Sequence, residues 1–290
     1  MNHSKLLIIC LLSLETARAG AAVAKIDEPV HFKRIGESLI VVPVTLNGRG
    51  PFQFVLDTGT NSSLIDTHLA QQLGLNTVDQ LTLLTAAGQK SVSRTFVQTA
   101  SVGLAVGRDM ELLVTNLDSA FPGSSVRGVL GQNFLQAFDL FLEYRKGVVT
   151  LLSPGAAVPI GGLHLPISLE HGRPALLWKA SADRELRMLL DSGSTSLTVF
   201  RTDIPEFQRC ILQTCRQTIT TSVSAASAFS GFLPTLMIGD TCLHDVTATY
   251  MSQPANGDEI DGMMPTALFN SVYINNHEHF AIVSGAAASP

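Results

Sequence analysis

The sequence predicts a mainly β protein made of two copies of one unit, and three observations support this fold class. Short apolar runs, separated by turn residues, recur along the whole chain and are typical of strands. A motif of two apolar residues, Asp, a hydroxyl residue, Gly and a second hydroxyl residue occupies residues 55–60 and recurs at residues 189–194. Each copy is followed, 71 positions after its Asp, by a largely apolar segment that begins at Gly128 or Gly262.

Composition limits the classes of function. The chain has 290 residues, of which 46% are hydrophobic and 15% are charged, as expected for a globular protein. At roughly 100–200 residues per domain, this length accommodates one large domain or two smaller ones. The formal net charge is -5 and no run of Lys or Arg occurs, so nucleic acid and anionic membrane surfaces are poor candidates for partners.

The first residues have the features of an export signal. Lys5 is followed by nine largely apolar residues at positions 6–14 and by the small-residue site Ala17-Arg18-Ala19. A membrane anchor is the alternative, but a spanning helix needs about 20 apolar residues. We therefore expect a signal peptide at residues 1–19, a mature chain that starts near Gly20, and a periplasmic or secreted protein without stable membrane insertion.

Three cysteines remain in the mature chain, and export would place them in an oxidising compartment. One disulfide and one free thiol is the simplest expectation. Residues 203–216 have a helical pattern, in which Cys210 and Cys215 would point about 140° apart and could not bridge each other. A bridge between Cys242 and one of them is therefore expected, with the partner left open.

No metal or other cofactor is expected. No group of Cys and His residues has the spacing of a zinc site. His277 and His279 would share one face of a strand, but an exposed edge beside a turn explains them more simply.

Strand and turn signals divide the mature chain into two lobes. An N-terminal lobe at residues 20–152 and a C-terminal lobe at residues 163–283 are joined by a Pro- and Gly-rich linker at residues 153–162, and residues 284–290 are expected to form a flexible tail. In the first lobe, Asp66 and Gly74 should cap a short helix. The strands are expected at residues 39–46, 52–56, 81–85, 91–99, 111–115, 140–143, 148–152, 175–180 and 186–190.

The repeated Asp of the motif suits acid–base chemistry. A carboxylate at the end of a buried strand is costly unless it is paired, hydrogen-bonded or protonated. Two such carboxylates a few ångströms apart share one proton, because both cannot be ionised together. The ionised member can take a proton from water while the protonated member donates to a carbonyl oxygen, so water can attack an amide without a metal or a covalent intermediate.

With these paired motifs the chain, over about residues 35–283, resembles the aspartic proteases of the pepsin and retropepsin type. The resemblance implies a bilobal pepsin-like acid protease fold with few short helices. Its two β-barrel-like lobes would be related by a pseudo-twofold axis, with the substrate cleft between them. It also implies that Asp57 and Asp191 form the catalytic dyad. Each unit is close in length to a retropepsin subunit, so the chain resembles two retropepsin-like units fused together.

The resemblance also assigns roles to the residues around the two Asp. The first hydroxyl residue of each motif should interlock across the lobes, the Gly residues should belong to the same loops, and the second hydroxyl residues should hydrogen-bond the carboxylates. These positions are, in the same order, Thr58 and Ser192, Gly59 and Gly193, and Thr60 and Ser194. Residues 128–131 resemble the Gly-containing element that packs under the first loop.

Three departures from the family pattern concern the surroundings of the dyad. Pro265 stands where the family has Gly, so the support under Asp191 is expected to differ. The candidate flap, at residues 84–95 with Ala87, Gly88 and Gln89 near its tip, lacks the Tyr that pepsins place there. The matching stretch of the second lobe, residues 221–226, contains no Gly.

The sequence thus predicts an exported, monomeric aspartic endopeptidase that acts on peptide or protein substrates. The alternative is a catalytically silent exported module that holds a peptide or a cell-envelope partner in the same cleft.

Overall fold

The computed structural model describes residues 11–12, 28–36, 38–85, 88–156, 161–181, 184–200, 215–220, 225–252 and 259–286. The fold is mostly β, with two short α-helices and one 3-10 turn among these residues. The first half contains β1 (Leu11–Leu12), β2 (Val30–His31), β3 (Lys33–Ile35), β4 (Leu39–Leu46), β5 (Arg49–Leu56), β6 (Ser63–Asp66), α1 (Thr67–Leu73), β7 (Asp79–Thr85), β8 (Gly88–Val102), β9 (Ala105–Thr115), β10 (Val126–Leu130), α2 (Gln132–Leu135), β11 (Asp139–Glu143) and β12 (Val148–Leu152). The second half contains β13 (Leu163–Glu170), β14 (Arg173–Ser181), β15 (Arg184–Asp191), β16 (Leu197–Val199), β17 (Cys215–Thr220), β18 (Ala225–Ile238), β19 (Thr241–Tyr250), β20 (Gly262–Pro265), the 3-10 turn Thr266–Leu268, β21 (Phe269–Asn275) and β22 (Phe280–Ala286).

The two halves have the same strand order, as the sequence repeat predicts. In the first sheet the order runs β7-β8-β9-β6-β10-β5-β4, and in the second it runs β17-β18-β19-β16-β20-β15-β14. Each of these seven strands of the first lobe therefore has its counterpart ten strands later in the chain. The pepsin-like or retropepsin-like β fold expected from the motifs agrees with this arrangement.

The 71-residue spacing corresponds to one strand register that is used twice. Strand β5 pairs in parallel with β10, with Phe54 opposite Gly128, and β15 pairs in parallel with β20, with Met188 opposite Gly262. At Gly128 a Cβ atom would overlap the ring of Phe54, so this position requires glycine. The segment after each Asp motif thus returns to lie beside the strand that delivers the Asp.

Strands from both halves form one continuous sheet between the lobes. In this sheet β11 pairs antiparallel with β21, with Leu140 opposite Ile274. The strand order is β13-β22-β21-β11-β12-β2, so the strands of the second half meet those of the first half between β21 and β11. Buried Asp139 holds the junction, because its carboxylate accepts hydrogen bonds from the backbone N–H of Asn276 at 3.0 Å and from the hydroxyl of Tyr273 at 3.3 Å. The two lobes are therefore joined by backbone pairing as well as by the linker.

The main hydrophobic core extends through both lobes. Apolar side chains that immediately precede the two motifs, such as Leu56 and Leu190, belong to the same buried cluster. The helix α1 begins and ends as the sequence predicts: the carboxylate of Asp66 accepts from the backbone N–H of His68 at 2.9 Å, and Gly74 ends the helix with φ 69°.

Several expectations differ from the structure or lie outside its described residues. Strand β22 continues to Ala286, so residues 284–286 are paired and only the remainder of the expected tail lies outside the described residues. The helix expected at residues 203–216 is wrong at its end, because Cys215 begins strand β17. Its earlier part lies outside the described residues, as do residues 157–160 of the linker and the signal segment apart from Leu11–Leu12.

The expected disulfide of Cys242 does not form in this structure, in which Cys242 carries a free thiol. Cys210 lies outside the described residues, and only the backbone of Cys215 is described. Within the described ranges, no helix has the length and the apolar character needed to cross a membrane.

Candidate active site

Asp57 directly follows the buried end of strand β5. Its backbone N–H donates to the carbonyl oxygen of Leu130 at 3.0 Å, which extends the β5–β10 pairing up to the Asp itself. The side chain is fully buried. Its Oδ1 atom accepts a hydrogen bond from the backbone N–H of Gly59 at 2.8 Å, so the loop that follows the strand fixes the orientation of the carboxyl group.

Asp191 occupies the equivalent position at the end of β15. It lies opposite Pro265 of β20 and is also fully buried. Its Oδ1 atom accepts from the backbone N–H of Gly193 at 2.7 Å. The two Asp thus have the same backbone setting, one from each lobe.

The glycines of the two loops bring the carboxyl groups together. A Cβ atom on Gly59 would overlap the carboxyl group of Asp191, and one on Gly193 would overlap that of Asp57. Each glycine therefore lies directly against the carboxyl group of the opposite lobe. A side chain at either position would force the pair apart.

The first hydroxyl residues of the motifs interlock across the lobes, as the resemblance implies. The hydroxyl of Thr58 donates to the carbonyl oxygen of Leu190 at 2.7 Å, and that of Ser192 donates to the carbonyl oxygen of Leu56 at 2.8 Å. Each hydroxyl also accepts from the backbone N–H of the other residue at 3.0 Å. These four buried hydrogen bonds fix the two loops relative to each other.

The second hydroxyl residues have partners that the resemblance does not predict. The hydroxyl of Thr60 donates to the carbonyl oxygen of Ser62 at 3.2 Å, and that of Ser194 donates to the carbonyl oxygen of Ser196 at 2.9 Å. The expectation that these hydroxyls donate to the carboxyl groups is therefore wrong in this structure. Each one instead closes the turn that follows its own Asp.

The environment of the pair favours protonation. Burial is the main cause that raises the pKa of both Asp57 and Asp191. For Asp57 the charge of the neighbouring Asp191 raises the pKa further, while the N–H of Gly59 partly offsets both effects. Burial likewise dominates at Asp191, where the N–H of Gly193 acts in the opposite direction. The two carboxyl groups titrate as a pair that holds one proton over a range of pH.

One oxygen of each carboxyl group remains available for chemistry. The Oδ2 atoms of Asp57 and Asp191 are buried and have no hydrogen-bond partner outside the pair among the described residues. Buried carboxyl oxygens are normally hydrogen-bonded. Because Oδ1 of each group is held by its own loop, Oδ2 is the atom that can contact a water molecule or a substrate.

Side chains below the two loops support them, and sequence reasoning missed these residues. In the first lobe, the Nε2 atom of Gln132 donates to the carbonyl oxygen of Thr58 at 2.9 Å. The equivalent residue of the second lobe, Thr266, contacts the hydroxyl of buried Tyr144 at 2.5 Å. Aligning the two copies of the repeat pairs Gln132 with Thr266, so the sequence holds a signal for this position but not for its partners.

Pro265 fits the second lobe because a neighbouring residue differs as well. In the first lobe, the N–H of Gly131 donates to the hydroxyl of Ser63 at 3.0 Å. The residues at the equivalent positions are Pro265, which has no N–H, and Leu197, which has no hydroxyl. The second lobe thus lacks both the donor and the acceptor, and it leaves neither group unpaired. The segment that packs under Asp191 therefore differs from the one under Asp57, as expected from Pro265.

The candidate flap is the hairpin of β7 and β8. Gly88 and Gln89 begin β8 and pair with Thr85 and Leu84 of β7. Gly88 and Gln89 are exposed, and Ala87 lies outside the described residues. In the second lobe, β17 and β18 form the matching hairpin, whose tip also lies outside the described residues. Within the described parts of the chain, no group of three or more His, Cys, Asp and Glu is placed to hold a metal ion.

Comparison with known proteins agrees with this site. Residues 42–134, which include the first Asp motif and α2, match the aspartyl protease family model. A retropepsin-like aspartic protease from Rickettsia conorii is similar, with 15% sequence identity over 44% of this chain and 94% of that chain and a TM-score of 0.32. No curated protein matches the chain. The family match agrees with the resemblance to aspartic proteases and supports an aspartic protease activity in general.

Proposed function

We propose that this chain is an aspartic endopeptidase that cleaves peptide bonds with a water molecule activated between Asp57 and Asp191. One observation carries the proposal: two fully buried carboxyl groups, one from each lobe, each lie against the loop glycine of the opposite lobe, and their Oδ2 atoms have no partner outside the pair among the described residues. The match of residues 42–134 to the aspartyl protease family supports the same reaction.

The arrangement suits an acid–base step in which no group is bound covalently. The ionised carboxylate takes one proton from the water, whose oxygen then forms a bond to the carbonyl carbon of the substrate. The protonated carboxyl group donates its proton to the carbonyl oxygen, and a tetrahedral diol results. The carboxyl group that took the proton from water then passes it to the amide nitrogen. As the C–N bond breaks, one hydroxyl of the diol gives its proton to the other carboxylate, which leaves a carboxylic acid, an amine and one proton on the pair.

The loop contacts keep this pair ready for the step. The N–H groups of Gly59 and Gly193 hold the two Oδ1 atoms, so the Oδ2 atoms face the reaction without reorganisation. Burial excludes bulk water, which strengthens the electrostatic interaction between the two carboxyl groups. The reaction needs no cofactor, since both acid and base are side chains of the protein.

A single chain supplies both halves of the site, and we therefore propose that the monomer is the active form. Activity per molecule should stay constant on dilution. We further propose that residues 1–19 direct export to the periplasm or the medium, so that peptides or proteins in that compartment are the substrates. N-terminal sequencing of protein recovered from the expressing cells should show a chain that starts near Gly20.

A mixed peptide library tests the proposed activity. The protein is incubated with the library over a range of pH, with and without a statine-type inhibitor, and new termini are identified by mass spectrometry. Cleavage that the inhibitor blocks is the expected result. Binding of peptides without any new terminus would instead favour the silent binding module, and cleavage that the inhibitor does not affect would contradict the two-carboxylate mechanism.

A further inference from the structure

Arg173 is a fully buried cation on the C-terminal lobe. It begins β14, has 0% exposed surface, and donates from Nε to the carbonyl oxygen of Glu170 at 3.0 Å. Burial of a guanidinium group is costly unless negative charge or hydrogen-bond acceptors surround it. The position of Arg173 in the sheet indicates which negatively charged side chain it interacts with.

The strand register places Arg173 opposite Asp191. Strands β14 and β15 are antiparallel, with Ala175 opposite Leu189, and the same register continued by two residues sets Arg173 level with Asp191. Directly opposed residues of an antiparallel pair project their side chains to the same face. The guanidinium and the carboxyl group therefore share one side of the sheet.

The N-terminal lobe lacks this cation. There β4 and β5 pair with Val41 opposite Val55, so the same extension sets Leu39 opposite Asp57. Leu39 is buried within an apolar cluster. The two carboxyl groups have nearly the same backbone setting, and the side chain on the opposing strand is a clear difference between them.

We propose that Arg173 is a positioning residue that places the negative charge of the pair on Asp191 and the proton on Asp57. The inference rests on the proposed function, and it assigns the roles of base and acid to the two Asp residues. Asp191 takes the proton from the attacking water, and Asp57 donates its proton to the carbonyl oxygen of the substrate.

The other groups around Asp191 do not supply this asymmetry. Burial raises the pKa of both carboxyl groups, and the charge of Arg173 opposes that effect at Asp191. Tyr144, on the turn after β11, contacts Thr266 and interacts electrostatically with Asp191, but burial raises the pKa of Tyr144 and keeps the phenol neutral. Among the described residues, the other charged group that acts on Asp191 is Asp57, and the two carboxyl groups act on each other reciprocally.

Titration of the two single Asn variants tests the inference without any need for catalysis. Asp57→Asn leaves Asp191 as the one carboxyl group of the pair, and Asp191→Asn leaves Asp57. Infrared difference spectra of the carboxyl C=O band against pH should show that Asp191 loses its proton at least about one pH unit below Asp57, as expected for an adjacent cation. Equal midpoints, or a lower midpoint for Asp57, would overturn the inference even if the protein cleaved no peptide.

Variants of Arg173 test the same inference through the pH dependence of activity. Arg173→Leu introduces the residue that the first lobe has at the equivalent position, Leu39. In this variant the acid limb of the profile of kcat/KM against pH should move to higher pH by roughly one unit. The limb should remain near its original position in Arg173→Lys, which retains the charge. Arg108→Leu is the matched control, because it removes the same charge from an exposed position of β9.

The outcomes separate positioning from a purely structural role. Lower activity in Arg173→Leu with an unmoved acid limb would mean that Arg173 only supports the fold, and it would overturn the inference. If Arg173→Leu does not fold, the Asn variants and Arg173→Lys still decide the question. Absence of peptide cleavage in every form would count against the proposed function, while the infrared midpoints would still test Arg173.

Discussion

Thr58 and Ser192 exchange hydrogen bonds across the two lobes, with the backbone N–H of each donating to the hydroxyl of the other at 3.0 Å. The residues are equivalent in the two copies of the repeat, and each hydroxyl also donates to a backbone carbonyl oxygen of the opposite strand. All the groups involved are buried. The geometry of the candidate active site therefore depends on contacts between the lobes, and neither lobe can build it alone.

Loss of one interlocking hydroxyl should destabilise the protein. Thr58→Val keeps the shape of the side chain but leaves the N–H of Ser192 and the carbonyl oxygen of Leu190 without their partner. We expect the free energy of unfolding to fall by about 1–3 kcal/mol, the usual cost of an unsatisfied buried polar group. Thr58→Ser, which retains the hydroxyl, is the control. Urea unfolding curves for the two variants measure the difference, and equal stability would contradict the role of the interlock.

A methyl group on Gly59 should abolish activity. In Gly59→Ala the new Cβ atom would occupy the space of the Asp191 carboxyl group, so the pair must separate. Gly161→Ala is the matched control, since nothing lies within 4 Å of the position of its Cβ atom. Rates of peptide cleavage should fall by at least about 100-fold in the first variant, as expected when acid–base groups are displaced, and should stay unchanged in the second. Normal activity of Gly59→Ala would mean that Gly59 does not lie against the carboxyl group of Asp191 as the structure places it.

Raised pKa values at the dyad should make the folded protein less stable as the pH rises. A carboxyl group whose pKa is higher in the folded state contributes stability below its unfolded pKa, and that stability is lost as the pH rises through the folded value. Burial raises the pKa of Asp57 and Asp191 above the ordinary value of 3.8. The wild type should therefore lose stability relative to the double variant Asp57→Asn, Asp191→Asn between about pH 4 and neutral pH.

Thermal unfolding across that range provides the measurement. Asp118→Asn, which changes an exposed Asp, is the control and should follow the wild type. A constant difference between the wild type and the double variant at every pH would show that the pair titrates like exposed carboxyl groups.

The second hydroxyl residues should not set the acid limb of the pH–rate profile. Since Thr60 and Ser194 donate to the carbonyl oxygens of Ser62 and Ser196, their removal should leave the titration of the dyad where it is. The variant Thr60→Ala, Ser194→Ala should lose stability, by about 0.5–1.5 kcal/mol for each hydrogen bond. Profiles of kcat/KM against pH decide the point. A shift of the acid limb to higher pH would show that these hydroxyls donate to the carboxyl groups during catalysis.

The sequence predicts the centre of the site well because the relevant signals are local and occur twice. The motif around Asp57 recurs around Asp191, and the common 71-residue spacing corresponds to one parallel register. Strand boundaries such as Leu39–Leu46 follow from apolar runs that end at turn residues. These features need no information about distant parts of the chain.

Other features depend on contacts that leave no local pattern. The pairing of β11 with β21 joins strands more than a hundred residues apart, and nothing in either segment indicates its partner. The hydroxyl of Thr60 can donate to a carboxylate or to a carbonyl oxygen, and only the geometry of the turn selects between them. Arg173 was missed for another reason, because its position emerges only when the two copies are aligned and Leu39 is found in its place.

The most direct test of the central claim is the rate of peptide cleavage by Asp57→Asn and Asp191→Asn, measured beside the wild type on one substrate of the library. Each variant should remain folded, as judged by circular dichroism, and lose at least about 1,000-fold in kcat, because one carboxyl group cannot serve as acid and base in the same step. Turnover close to that of the wild type in either folded variant would contradict the assignment of the two carboxyl groups as the catalytic pair.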